Sequence, residues 1–455
     1  MARKKEKTLE EKLQEALVPE KQWPYILPEN WCWTRLKYIS KKISDGSHNP
    51  PKNSGSGIPL LSAANVCEFS IDMNSANRWI LEEEWVNENK RTCLEKGDVL
   101  LTIVATIGRV AIVENEKFAL QRSVAVIKPN QVLSKYLMYF LASPYIQAFM
   151  HNNAKGTAQK GFYLKSLEQL YIALPSLPEQ KRIVRRIESP FAKLDEAKEK
   201  IQQVLDGAEM RKAAILHKAF TGELTKNWRK EKGISEDSWV QRVFGEFCDT
   251  QYGYTDSSTF EPVGPKFLRI TDIKDNNVNW DEVPYCQINA DDLKKYKLHS
   301  GDIVVARTGA TTGKSFLLQF VPEAVFASYL IAIKINDIEK VIPQYVYWFM
   351  QSPDYWLQIT VLKKGSAQPG VNAKKIKEIN IKIPSPSEQT KIVEIVKSAW
   401  LKESKVVIEA NTVIDNIEKI KKSILAKAFR GELGTNNPTE DSALNFLKEV
   451  LQDKS

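Results

Sequence analysis

The sequence predicts an α+β chain in which a mixed globular region and a long helix occur twice in succession. Three observations carry that reading. The stretch Pro175–Leu224 reads as one long helix, and a shift of 209 positions finds it again at Pro384–Leu433. The shared register runs from Gly156/Gly365 to Thr225/Gly434 without insertion or deletion, and 26 of its 70 paired positions are identical. The regions flanking both helices hold short β-type runs divided by Gly, Asn and Pro turns, a mixed pattern and not a helical one. A repeat on this scale sets the architecture before any local feature is read.

Both helices share start and stop signals. Ser176-Leu177-Pro178-Glu179 and Ser385-Pro386-Ser387-Glu388 each fit a capping box, in which the Ser accepts from the third helical amide and the Glu reaches back to the cap amide. Pro178 and Pro386 fall in the first turn, where no hydrogen bond is lost. Ala-Phe-x-Gly closes each copy, with Gly222 and Gly431 as left-handed stops. Between those ends the apolar residues follow a 3-4 spacing. The first series is Val184, Ile187, Phe191, Leu194, Lys198, Ile201, Leu205, Ala208, Lys212, Ile215 and Ala219. The second is Val393, Val396, Trp400, Glu403, Val407, Ala410, Ile414, Ile417, Lys421, Ile424 and Ala428. Nine of eleven are apolar in each, the seam of a coiled coil. About 42 helical residues at 1.5 Å each make a rod of roughly 60 Å. Two equal rods in one chain most simply pack on each other; the alternative is that each packs only on its own globular neighbour. Pro190, whose partner is Ala399, predicts a kink in the first rod near Ser189.

Taken in order, residues before about Lys21 form a charged arm or short helix. Residues 1–175 hold that arm and the first mixed region, with β-type runs at Ile58–Val66, Val99–Val104 and Val124–Lys128 and a helical pattern at Ser134–Met150. Residues 176–224 are the central helix. Residues 225–384 hold a polar linker, Thr225–Asp237, and the second mixed region. Residues 385–433 are the C-terminal helix, and 434–455 a tail. The mixed regions align only in pieces: Ile58–Val66 with Pro265–Ile273, Gly97–Leu101 with Gly301–Val305, and Tyr136–Pro144 with Tyr345–Pro353. Their offsets drift while the rods stay in step, so loops have changed on a fixed scaffold.

At 455 residues the chain has room for two or three domains, and 43% apolar with 27% charged residues describes an ordinary globular protein. The net charge of +9 suits a polyanionic partner. The N-terminal stretch has no apolar core for a signal peptide, and no apolar run reaches the 18 residues of a membrane span. Cys32, Cys67, Cys93, Cys248 and Cys286 show no CxxC pairing or disulfide spacing. A cytoplasmic location without membrane contact is expected.

The near-motifs point away from catalysis. Gly309-Ala310-Thr311-Thr312-Gly313-Lys314-Ser315 is one residue short of a phosphate loop, with Thr308 where the first Gly belongs. Its exposed amides and Lys314 still suit a backbone phosphate. His48-Asn49-Pro50-Pro51-Lys52 is similar to an amino-methyltransferase signature, but Lys52 replaces the aromatic and no Gly-rich cofactor site accompanies it. A simple turn is the plainer reading. His48, His151, His217 and His299 share no metal spacing with any Cys, and neither a nucleophile elbow nor a distinctive carboxylate pair is present. What remains suits nucleic acid. Arg307-Thr308 leads into the loop ending at Lys314, and the first-half counterpart keeps Gly108 and Arg109 but has Ile103 for Arg307. The loops Gly156–Gly161 and Gly365–Gly370 offer Thr157, Gln159, Lys160, Ser366 and Gln368 where each region meets its rod. Two readings stand for them: contact with phosphates or base edges, or a tight hinge turn. Lys181, Arg182, Arg185 and Arg186 nearby are either a basic cluster or a solvated helix face. Ser47 and His48 complete the candidate DNA-binding set.

These pieces together resemble the specificity subunit of type I restriction–modification enzymes. The resemblance covers nearly the whole chain: the arm, Pro28–Leu36, the Ile58–Val66 strand, the Arg307–Lys314 loop, the Gly-Ser-Ala-Gln loop and both rods. The duplicated Glu-Gln start and Gly-Glu-Leu end are its specific part. Membership implies two mixed α/β target-recognition domains joined by two long helices forming an antiparallel coiled coil, with an internal pseudo-two-fold repeat. It also implies a non-catalytic chain that reads one half of a split, asymmetric sequence in double-stranded DNA with each domain. The rods would set the gap between the halves and hold two methyltransferase (modification) subunits. Restriction/translocase subunits would complete the complex. The chain itself would bind no cofactor or metal; S-adenosylmethionine, ATP and Mg are expected on the partners. Deleting four residues of one rod, such as Lys198–Ile201, is expected to change the spacer and leave the half-sites alone. A stand-alone coiled-coil adaptor and a self-contained methyltransferase are the rivals; neighbouring genes and an assay of the purified chain separate them.

Overall fold

A computed structural model describes residues 7–114, 117–156, 160–274, 276–363 and 370–453. In chain order the first part runs α1 (Leu9–Ala16), β1 (Cys32–Arg35), β2 (Ser40–Asp45), β3 (Ile58–Leu61), β4 (Trp79–Ile80), α2 (Glu82–Thr92), β5 (Val99–Thr102), β6 (Val110–Ile112), β7 (Ala119–Leu120), β8 (Val124–Pro129), α3 (Ser134–Leu141), α4 (Pro144–Asn153), α5 (Leu164–Glu168) and β9 (Tyr171–Leu174). The first rod is α6 (Leu177–Asp206) and α7 (Ala208–Phe220), followed by α8 (Lys226–Lys232). The second part holds β10 (Val240–Val243), β11 (Cys248–Tyr252), β12 (Lys266–Leu268), β13 (Ile273–Lys274), β14 (Asn277–Val278), α9 (Ala290–Tyr296), β15 (Ile303–Ala306), β16 (Ser315–Leu317), β17 (Ala324–Phe326), β18 (Leu330–Ile335), α10 (Pro343–Phe349), α11 (Pro353–Lys363), α12 (Ala373–Lys377) and β19 (Asn380–Ile383). The second rod is α13 (Pro386–Phe429), and α14 (Ala443–Asp453) follows it.

The chain divides into two units, residues 1–200 with 413–455 and residues 201–412. Each unit repeats the other's topology, including where the sequences align only in pieces. A four-stranded antiparallel sheet has the order β2-β8-β5-β6 in the first and β11-β18-β15-β16 in the second. A parallel pair joins β3 to β7 and β12 to β17, and an antiparallel pair joins β1 to β9 and β10 to β19. All four residues of β5 and of β15 are buried. Alternate side chains point to opposite faces of a strand. Val99 and Leu101 accordingly join the core shared with the helices, and Leu100 joins the smaller core of Leu61, Phe118 and Val126. Ile303 and Val305 against Val304 repeat that division.

Each unit takes the start of one rod and the end of the other. In the first, Ile183, Val184, Ile187 and Phe191 share a core with Leu425, Ala428 and Phe429. The Phe429 ring meets Phe140 edge-on at 4.9 Å and Tyr136 at 5.5 Å. In the second, Leu216, Ala219 and Phe220 share a core with Ile392 and Val396, and Phe220 lies 5.2 Å from Tyr345 and 5.3 Å from Phe349. Within each unit the paired helices therefore run antiparallel. Along the expected seam, Ile187, Phe191, Val396 and Ile417 are buried, and Ile201, Leu205, Trp400 and Ile414 are partly buried. Its charged positions are paired. Lys198 reaches Glu418 at 2.6 Å and Lys421 reaches Asp195 at 2.5 Å, while Arg211 bonds Glu403 at 3.0 Å. Lys212 lies 4.8 Å above the Trp400 ring.

Several expectations are corrected. Ser385 Oγ accepts from the Glu388 amide as expected (3.4 Å), but Glu179 and Glu388 do not close capping boxes. Glu179 is bound by Arg182 and by the Thr435 hydroxyl (2.7 Å), and Ser176 donates instead to Glu440 (3.1 Å). Glu388 is bound by Arg229 at 2.6 Å and by the Thr225 hydroxyl at 2.6 Å. Buried carboxylates require partners; the segment after the facing rod supplies Thr435 to Glu179 and Thr225 and Arg229 to Glu388, while Arg182 comes from Glu179's own rod. The neighbouring glutamines latch each rod to its globular region. Gln180 Oε1 accepts from the Leu133 amide (3.0 Å) and its Nε2 donates to Pro175 O (3.1 Å). Gln389 does the same with the Ile342 amide (2.9 Å) and Pro384 O (2.9 Å). Helix α6 carries Pro190 inside it, and the first rod is in addition interrupted at Gly207. The Ser134–Met150 pattern is two helices, because Pro144 disfavours helical geometry at Ser143. The polar linker carries α8, whose Arg229 is buried, and the 434–455 segment carries α14, which buries Phe446, Leu447 and Val450 in the first unit's core. Gly222 and Gly431 adopt the expected left-handed conformation, φ +82° and +76°.

Candidate nucleic-acid interface

In each unit three chain segments meet at one end of the four-stranded sheet. After β2 the chain turns at Gly46, where a Cβ would lie 2.2 Å from Leu120 O. Ser47 then donates to Leu120 O (2.7 Å) and its own carbonyl accepts from the Arg122 amide (2.9 Å). Ile103, just past β5, donates to Ser123 O (2.8 Å), and its carbonyl accepts from the Phe162 amide (2.7 Å). The second unit repeats the frame. Gly253 would place a Cβ 2.2 Å from Ala327 O, Arg307 donates to Tyr329 O (3.1 Å), and the Arg307 carbonyl accepts from the Val371 amide (3.0 Å). On this basis Asp45 corresponds to Tyr252, Ile103 to Arg307 and Ser123 to Tyr329.

The frame is common but its side chains are not. In the first unit a cavity of about 520 Å³ is lined by Asp45, His48, Arg91, Arg122, Tyr163 and Lys165 among others. His48 Nε2 lies 2.8 Å from Asp45 Oδ2, and Arg91 bonds the same carboxylate through Nη2 and the Asp45 carbonyl through Nε (3.0 Å). His48 is thus held beside the Arg91–Asp45 ion pair. Arg122 is exposed, and Tyr163 is 54% exposed. In the second unit the Arg307 guanidinium stacks 4.8 Å from the Tyr252 ring and donates to Ser328 O (3.3 Å), with Tyr329 63% exposed beside it. Stacking on an aromatic ring holds a guanidinium planar and leaves its edge for bidentate donation. The Arg307 Nε has no partner among the described residues.

Of the sequence candidates, the structure brings Ser47 and His48 to this end of the first unit, with Lys160 joined through the bond from the Ala105 amide to its carbonyl (3.3 Å). Arg307 and Thr308 stand together in the second unit, and Thr308 bridges to Gly370. Arg109 and Lys314 are exposed at the base of the hairpins leading into β6 and β16, where their carbonyls accept from Thr102 and Ala306 (2.9 Å each). Thr157, Gln159, Ser366 and Gln368 lie outside the described residues. In the Gly-rich loop the amides of Thr312, Gly313 and Lys314 donate to the carbonyls of Gly309, Ala306 and Thr311. Gly108 and Gly313 are required for packing. Both have positive φ, and a Cβ would lie 2.1 Å from Gln147 Oε1 or 2.8 Å from Ile359 Cγ2. Arg182 is likewise structural, bonded to Glu179 and Glu440, whereas Arg185 and Arg186 are exposed. The sequence does not single out Arg91, Arg122, Tyr163, Tyr252 and Tyr329: Arg91 lies in the last turn of α2, Tyr163 caps α5, and the other three lie at or beside strand ends.

Among the described residues no cluster of His, Cys, Asp or Glu could hold a metal ion, and no helix is long and apolar enough to cross a membrane. Burial pushes the thiols of Cys32 and Cys248 up to about 12 and that of Cys286 up to about 11, the opposite of an activated nucleophile.

The family model for the type I restriction modification DNA specificity domain matches residues 40–206 and 236–419, one match on each repeat and most of the chain. The chain belongs to the type I restriction–modification DNA specificity family. The EcoBI specificity subunit of Escherichia coli is 33% identical over 212 residues, which span 45% of this chain and 44%, less than half, of that relative. The EcoKI specificity subunit of Escherichia coli K12 is 24% identical over 72% of this chain and 74% of its own. Solved structures share the fold. A chain from a study of complex assembly and conformational transition of the type I R-M system is 17% identical, with a TM-score of 0.69 over 90% of this chain and 100% of its own. The HsdS subunit from Thermoanaerobacter tengcongensis is also 17% identical, with a TM-score of 0.53 over the same shares. As a specificity subunit, this chain acts in DNA target recognition.

Proposed function

We propose that each unit reads one half of an asymmetric, bipartite target in double-stranded DNA, and that the antiparallel rods hold the modification subunits that methylate it. Restriction subunits, S-adenosylmethionine, ATP and Mg belong to the partners in this reading. One observation carries it: the same backbone frame occurs in both units with unlike side chains at equivalent positions, Asp45 against Tyr252 and Ile103 against Arg307. A shared frame with exchanged side chains is what two readers of different sequences on one scaffold require. Exposed Lys160, Lys165 and Lys374 near the frame suit phosphates, which position a reader without specifying sequence. Arg307, with its planar fork, suits guanine in the major groove.

Arg307→Ala is accordingly expected to weaken one half-site by about 1–3 kcal/mol, and to relax base preference in that half alone. Arg122→Ala should act on the other half. Lys374→Ala should weaken binding evenly across sequences and lower the salt slope by about one. Binding to a panel of half-site variants of the target mapped by methylome sequencing checks all three. Unchanged preference in both halves for Arg307→Ala removes that residue from the reading set.

A further inference from the structure

The two units differ at one apolar site where each globular region meets its rod. In the first, the turn Cys67–Ser70 puts Phe69 at φ +63°, and its ring lies 5.1 Å from Tyr139 and 6.1 Å from Phe191. Lys421 lies 5.1 Å above the same Phe191 ring. In the second unit every part of this cluster but one is matched. Trp348 and Trp400 replace Tyr139 and Phe191 with centroids 5.1 Å apart, and Lys212 lies 4.8 Å above Trp400. The equivalent pairing in the second unit is antiparallel too, Ile273 with Val278 against Val66 with Ile71. At the position of Phe69 that unit carries Asn276, with φ +58°.

The exchange leaves a hole. Asn276 bonds the Tyr347 hydroxyl, and beside it opens a cavity of about 640 Å³ lined by Trp280, Phe316, Phe320, Tyr347, Trp348 and Trp400 among others. Phe320 on its rim is 86% exposed. Left-handed φ is uncommon for a bulky residue and easy for asparagine. The first unit thus keeps a phenyl ring in an unfavourable backbone conformation to fill its site, while the second leaves the site open to solvent. Aromatic-lined pockets of this kind bind an anchoring side chain.

We infer that the Trp348–Trp400 pocket receives an aromatic side chain from a protruding segment of a modification subunit, the place Phe69 fills internally in the other unit. The two units then present unequal docking sites: one plugged by the chain itself, one completed by the partner. This rests on the assembly reading above. Phe69 is the template for the occupant, since the site that matches ring for ring already holds a phenyl group.

The test uses the full-length chain and the modification subunit encoded with it, titrated and followed by native mass spectrometry. Asn276→Phe transplants the plug, and the turn tolerates it because Phe69 already adopts that φ. Phe320→Asp puts a charge on the exposed rim without entering the core. Both variants are expected to weaken uptake of one modification subunit at least tenfold, leave the other unchanged and keep wild-type DNA affinity. If the wild-type chain assembles and both variants assemble equally well, the pocket assignment falls while the assembly reading survives. If wild type takes up no modification subunit, both fall. Self-association of the chain that Asn276→Phe abolishes also overturns the inference, because the occupant is then a second copy.

Discussion

Replacing Arg229 with methionine is expected to cost the second unit about 3–5 kcal/mol of stability, the range for breaking a buried ion pair from one side. Its side chain is 7% exposed and that of Glu388 is fully buried. Arg229 Nη1 bonds Glu388 Oε1 and the Thr225 hydroxyl (3.0 Å), and Nη2 donates to Gly222 O (2.8 Å). Removing the cation strands a carboxylate whose remaining partner is one hydroxyl. The double variant Arg229→Met with Glu388→Met should recover most of the loss, because no charge is then left buried. Arg182→Met, its counterpart in the first unit, should cost less, because Arg182 is one-third exposed and its pair is screened by solvent. Urea unfolding followed by tryptophan fluorescence measures all three variants against the wild type. Equal and small losses for Arg229→Met and Arg182→Met would show that burial does not set the worth of these pairs.

Cutting four residues from both rods at facing positions is expected to shorten the gap between the methylated half-sites by one to two base pairs. Lys198 faces Glu418 and Asp195 faces Lys421. Lys198–Ile201 and Asp415–Glu418 therefore form a matched block holding one ion pair and one apolar seam residue from each rod. Four helical residues span about 6 Å and turn the chain by about 40° beyond one full turn, a small phase error that coiled coils absorb. Base pairs are about 3.4 Å apart along one strand. A cut from one rod alone leaves four facing residues without partners, so the paired deletion is the cleaner form of the experiment. Methylome sequencing should show both half-sites unchanged in sequence and closer together. An unchanged gap with full methylation would mean that the rods do not set it.

The rods were the most legible part of the chain. A seam repeats its chemistry every few residues, so local spacing alone marked positions that proved buried or paired, from Phe191 and Val396 to the charged Lys198 and Lys421. The start signals were legible as positions but not as roles. Glu179 and Glu388 match a capping pattern, yet their partners Arg182, Thr435, Thr225 and Arg229 include groups far along the chain, which no local pattern contains. The candidate interface was legible only in part. Arg307 and Ser47 stand beside glycines that mark a turn, whereas Arg122 and Tyr252 lie in stretches without any motif. The packing role of two glycines was not legible for the same reason: Gly108 and Gly313 answer to a close approach by α4 and α11.

By itself the sequence determined the duplication, the helix seams and membership in a DNA-specificity family, because these depend on order and spacing along the chain. Only the tertiary structure decided which partners the buried glutamates take, that each unit is completed by the end of the other rod, and that Phe69 closes a site Asn276 leaves open. Those outcomes turn chiefly on contacts between residues far apart along the chain, where burial makes a charge seek a partner and a ring seek a neighbour.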